Sequence, residues 1–248
     1  KSPHYPFEPA LRHKGRYDKA PVPYPPSMAN TERNYATQPR WVRDRRYSIH
    51  GVDHMETGRF DRDPVPSFET LVRRYAEAVH STDENVGRVV KQLEELGLRE
   101  NTLILFTGDN GTGVQVTTRF KGADYKGGKG TRTARGNHTP LIANWPGRVP
   151  AGRVNDDLVC SVDFLPTLCE VVGTEVPAAL AIDGRSFLPQ LLGRPGQPRD
   201  SYYMWYARNG GRDATFEFAQ GRTLKLYRDG TAYDLAADPL EEKPLRVA

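Results

Sequence analysis

Asp109, Asn110, Lys129 and His4 are the residues whose types and settings could do chemistry together. Asp109 and Asn110 follow an apolar run, Leu103–Phe106, closed by Thr107-Gly108, and they offer adjacent hard oxygens of the kind Ca²⁺ or Mg²⁺ takes. Further along, Gly127-Gly128-Lys129-Gly130 puts a cation on backbone that can approach an anion closely. His4 lies between Pro3 and Pro6, whose rings hold the stretch extended and would present the imidazole at a strand end or loop. Metal oxygens followed by a bare lysine suit an oxyanion ester. Each part also has an ordinary reading. Asp-Asn-Gly is common turn chemistry, and a lone histidine is usually structural. Gly-Gly-Lys-Gly is a near miss to a nucleotide phosphate loop, but Gly130 stands where Ser or Thr is required and Ala123 where the first glycine is required.

The elements that must position these groups are legible in outline. Leu103–Phe106 reads as a buried parallel strand, and the carboxyl end of such a strand is where open α/β sheets place ligands. Ser67 to Leu98 carries helical periodicity in Leu71, Tyr75 and Val79, then Val86, Val89, Val90, Leu93 and Leu96, with Gly97 as its stop. The Thr82-Asp83 region allows one long helix or two. Thr139 to Ala143 reads as a second buried strand, Asp163 to Leu168 as a capped helix start, and Ser186 to Leu192 as a short helix. Gly193 to Asp200 is a Pro/Gly linker. Beyond it, aromatic-rich strands are expected, with a hairpin at Arg228-Asp229-Gly230-Thr231.

Composition narrows the class. The chain has 248 residues, 37% hydrophobic and 27% charged, which is globular. A net charge of +4 is too mild and too dispersed to argue for nucleic acid. No apolar run is long enough to span a membrane. Cys160 and Cys169 lack metal-ligand spacing and are expected as free buried thiols. Residues 10–66 are rich in Pro, Arg and Tyr without sustained period; Arg40, Arg43, Arg45 and Arg46, with His50, Asp53 and His54, could line a substrate rim.

Taken in order, LGLRENTLILFTGDNG, GGKGT and HTPLIANWPGRVPAG resemble the carboxyl-terminal part of the sulfatase family, within the alkaline-phosphatase-like superfamily. The resemblance runs from about Pro3 to Leu245. It implies an α/β fold with a mixed, mostly parallel sheet flanked by helices, present in part over residues 1–195, and a small antiparallel α+β subdomain over 196–248. It further implies that Asp109 and Asn110 ligate Ca²⁺ (Mg²⁺ being the alternative), that Lys129 binds sulfate, and that His4 contacts the sulfate ester and assists the leaving group. Arg132, Arg135, Asn137 and His138 stand where the family often has an acidic, glycine-rich turn, so Arg135 and His138 become candidate substrate contacts.

The family's nucleophile is a formylglycine made from cysteine in a Cys-x-Pro/Ala-x-Arg segment, and neither Cys160-Ser-Val-Asp nor Cys169-Glu-Val-Val fits it. The first aspartate pair of the metal site also has no counterpart. The chain starts Lys1-Ser2-Pro3 without a leader, and the expectation is a fragment whose partner is the amino-terminal half of the same protein, inactive alone. The expected substrate is a small-molecule or glycan sulfate ester. A periplasmic or secreted bacterial setting is the best guess for compartment, with no export signal visible. Two other readings stay open: a phosphate or phosphonate monoester hydrolase of the same superfamily, and an inactive binding fragment.

Overall fold

The computed structural model describes residues 3–4, 7–23, 31–43, 68–114, 116–120, 122–207, 210–211 and 216–245. The chain divides into two units, Lys1–Leu98 and Arg99–Ala248.

The first unit contains a 3-10 turn at Leu11–His13, two short helices, α1 (Glu32–Ala36) and α2 (Arg40–Arg43), and a long one, α3 (Phe68–Glu95). Of the two alternatives open for the long helix, the uninterrupted one is observed. Ser81 and Thr82 donate their hydroxyls back to the carbonyls of Glu77 and Ala78 at 2.9 and 3.1 Å, so the polar run is carried without a break. Gly97, at φ +67°, ends the helix: its N–H reaches Glu94 O at 3.0 Å and the Leu98 N–H reaches Leu93 O at 2.8 Å, the paired bonds of a Schellman cap. The segment from Phe7 to Ala20 follows α3. Phe7 meets Tyr75 edge-on at 5.3 Å, Ala10 N–H donates to Ser81 Oγ at 3.1 Å, and Arg73 Nη2 donates to Ala20 O at 3.1 Å. Ala78 is fully buried, whereas Val79, Val86, Val89 and Leu96 of the apolar stripe stay exposed.

The second unit begins with β1 (Ile104–Thr107), then a hairpin of β2 (Thr117–Phe120) and β3 (Ala123–Lys126). A single-turn helix, α4 (Ala134–Asn137), precedes β4 (Leu141–Asn144). Two helices follow, α5 (Phe164–Val171) and α6 (Leu188–Leu191), and then β5 (Ser201–Tyr206), β6 (Phe216–Gly221), β7 (Leu224–Tyr227) and β8 (Ala232–Asp234) form a four-stranded meander. The hairpin expected at Arg228–Thr231 joins β7 to β8, with Gly230 at φ +85°.

The mostly parallel sheet is not what the described residues form. Every strand pairing among them is antiparallel, including β1 with β4 in the register Ile104↔Asn144 to Thr107↔Leu141. Nor are β1 and β4 buried: Phe106 is 41% and Ile142 58% exposed. A short apolar run does not distinguish a strand covered on both faces from an antiparallel one with a solvated face.

Asp163 starts α5 and also anchors the unit. Its buried carboxylate accepts from Cys160 N at 2.7 Å and Arg185 N at 2.8 Å, and it takes both Nε (2.9 Å) and Nη2 of the buried Arg199. Arg199 puts two further donors on Ser201 O and Asp183 O, which leaves the buried pair well compensated. The hydrogen bonds to Asp163 raise the guanidinium pKa further. Cys160 and Cys169 are free, as expected, but half-buried.

Candidate active site

The end of β1 feeds a lattice of three loops held backbone to backbone. Gly111 N–H donates to Gly136 O at 3.0 Å, and Thr112 O accepts from Gly128 N at 2.9 Å and Lys129 N at 2.8 Å. Gly127 N–H reaches Val116 O at 2.7 Å. Glycine is needed for this closeness. A Cβ on Gly111 would lie 2.1 Å from Arg135 O, one on Gly127 2.0 Å from Gly113 O, and one on Gly136 2.2 Å from Gly128 O. The Gly-Gly that precedes Lys129 thus serves close packing, and the packing brings Asp109-Asn110, Lys129 and Arg135 onto one scaffold.

Asp109, Asn110, Lys129 and His138 are exposed, and Arg135 is half-buried. Arg135 Nε is itself buried and has no hydrogen-bond partner among the described residues. A buried guanidinium donor left open is costly unless an acceptor arrives. A broad groove is lined by Asp109, Asn110, Thr112, Arg135 and His138, with Gly127 and Gly130 on its wall; the Lys129 side chain is not among the lining groups. His4 is exposed and belongs to the first unit, while Asp109, Asn110, Lys129, Arg135 and His138 belong to the second. His50 and His54 lie outside the described residues.

A buried cluster that sequence reading missed holds the Arg135 loop. Glu241 Oε1 accepts from Ala134 N, the first residue of α4, at 2.6 Å, and from Lys225 Nζ at 3.1 Å. Lys225, fully buried, also donates to Arg132 O at 2.5 Å and packs over the Phe218 ring at 4.1 Å. Tyr227 donates its hydroxyl to Glu241 Oε2, and the phenol oxygen lies 3.1 Å from Arg132 O. Burial pushes the Lys225 ammonium below its ordinary pKa, against the opposing pull of Glu241. Burial and the Glu241 hydrogen bond push the Tyr227 phenol up. One signal was available: in Leu224-Lys225-Leu226-Tyr227, strand alternation puts Lys225 on the same face as Tyr227.

Asp109 and Asn110 fit part of a Ca²⁺ site. Both offer hard oxygens on a loop fixed by Gly111, but two residues supply only a share of the roughly six to eight oxygens such an ion takes.

Asp109-Asn110, Lys129 and Arg135 thus share one loop scaffold within the second unit. The chain belongs to the sulfatase family: the family model Sulfatase matches residues 3–174, and the model N-sulphoglucosamine sulphohydrolase, C-terminal, matches residues 133–246. It is 37% identical over 135 residues to N-acetylgalactosamine-6-sulfatase of Canis lupus familiaris, covering 54% of this chain and 26% of that protein. It is 30% identical over 259 residues to arylsulfatase A of Homo sapiens, covering 94% of this chain and 50% of that protein. The chain therefore spans half or less of the length of these two relatives. Among solved structures, BT4656 in complex with its substrate D-glucosamine-2-N,6-O-disulfate shares the fold with a TM-score of 0.62 at 23% identity, over 98% of this chain and 59% of that one. That likeness shows a shared fold.

Proposed function

We propose that this chain supplies the sulfate-binding loops and part of the metal site of a sulfuric ester hydrolase acting on an aryl or carbohydrate sulfate. The observation that carries the reading is the glycine-laced lattice, which fixes Asp109-Asn110, Lys129 and the open Arg135 donor on one scaffold. Lys129 Nζ donates to a sulfate oxygen and gains strength as negative charge develops there. Arg135 Nε takes a second acceptor on the substrate, and His138 lines the groove that Arg135 also lines. His4 gives its proton to the leaving oxygen. Asp109 and Asn110 would hold a Ca²⁺ ion, with Mg²⁺ as the alternative, and that ion would offset sulfate charge.

The nucleophile in this proposal is a formylglycine outside these 248 residues, because neither Cys160 nor Cys169 stands in the required segment. The chain by itself is then inactive, and the whole protein carries the activity. The sugar disulfate bound by BT4656 makes sulfated glycans the first substrates to try.

The test compares the whole protein with its Lys129→Ala variant on an aryl sulfate and a sulfated glucosamine. Loss of an oxyanion donor should lower kcat by about 10²-fold or more. Turnover within about threefold of wild type would remove Lys129 from the site.

A further inference from the structure

We propose that the first unit holds a second, softer metal site, made by His13, His80 and Glu84 and suited to Zn²⁺. It uses none of the residues named above for the sulfate chemistry. His80 and Glu84 lie four residues apart on α3, hence on one face, and the turn at Leu11–His13 brings His13 against them. The candidate ligand atoms all lie within 4.8 Å of one another. The two imidazoles meet edge to face at 4.6 Å.

Proton accounting at His13 points to a cation. Ser81 Oγ spends its hydrogen on Glu77 O at 2.9 Å and already accepts from Ala10 N at 3.1 Å. Its 2.7 Å contact with His13 Nδ1 is therefore one in which the imidazole donates. That leaves Nε2 as a bare lone pair in the neutral ring, yet Nε2 directly faces Glu84 Oε2, another acceptor. As it stands the contact needs a second proton on the ring, and a metal ion would replace that proton once Nε2 and Oε2 part to ligand spacing. A ligating histidine commonly donates its other N–H to an oxygen that fixes the ring, as Nδ1 does here. Arg12 occupies the other carboxylate oxygen, with Nε at 2.7 Å from Oε1, and leaves Oε2 turned to the imidazoles. Among the described residues nothing hydrogen-bonds the His80 ring. Two histidines and one carboxylate are a common zinc set, and tetrahedral Zn²⁺ would space the three ligand atoms at about 3.4 Å, within a small side-chain adjustment.

His13 is only 3% exposed and its replacement endangers folding, so the half-buried His80 and Glu84 carry the test. The full chain, stripped with chelator, is titrated with Zn²⁺ by calorimetry and with Co²⁺ by visible absorption. One equivalent per chain is expected, with intense tetrahedral Co²⁺ bands. His80→Phe, which keeps a ring against His13, and Glu84→Gln should each weaken binding at least tenfold, while Asp109→Ala leaves it unchanged. No saturable Zn²⁺ binding, or binding equal in wild type and His80→Phe, would overturn the site and leave His13–Glu84 as a plain ion pair.

Discussion

At the scale of single residues, Gly128 admits no side chain without a shift of its neighbours. A Cβ there would lie 2.7 Å from Arg135 Cβ and 2.8 Å from Gly136 N, with backbone on one side that cannot swing away. Gly128→Ala should cost about 1–3 kcal/mol, as overpacking does, and shift Lys129 and Arg135 together. Urea denaturation gives the cost, and kinetics of the whole protein should show kcat and KM worsening at once. An unchanged melt would mean the loops are looser than their hydrogen bonds indicate. Asp109, Asn110 and Lys129 could be singled out as candidates in the sequence because charge and oxygen donors interrupt glycine-rich chain. What the glycines do was not legible, since the backbone they admit belongs to residues far along the chain.

At the scale of elements, β7 joins the meander to the Arg132–Arg135 loop through Lys225. Removing one member of a buried charged pair strands the other, so Lys225→Met should destabilise by about 3–5 kcal/mol. The double variant Lys225→Met/Glu241→Gln should recover a good part of that loss, and equilibrium unfolding of the three proteins measures both. Lys225 titrates below 10.5 when folded. Between that lowered value and 10.5 the unfolded chain binds more protons, so stability rises with pH there. The wild type should thus gain on Lys225→Met as pH approaches about 10, and parallel pH curves for the two would contradict the burial argument. The long helix was legible from its periodicity, and its continuity through Ser81-Thr82 depended on two hydroxyl bonds that no pattern announces. The antiparallel pairing of β1 with β4 was not legible, because strand direction is set by how residues 108–140 return and leaves no mark on either apolar run.

At the scale of the whole molecule, two family models overlap across the chain, and the fold is shared with the solved BT4656 structure. No described helix is long and apolar enough to cross a membrane. Asp163 and Arg199 join the start of α5 to the edge of the meander within the second unit, and Asp163→Ala should destabilise that unit by about 3–5 kcal/mol by stranding Arg199. A cooperative melt shifted by less than about 1 kcal/mol would show that the pair adds little beyond its desolvation cost. The central claim concerns sulfur rather than phosphorus. It is tested most directly by the rates of the whole protein on an aryl sulfate and the matching aryl phosphate. A higher kcat/KM on the sulfate, abolished in Lys129→Ala, is the predicted result; a preference for the phosphate would contradict it.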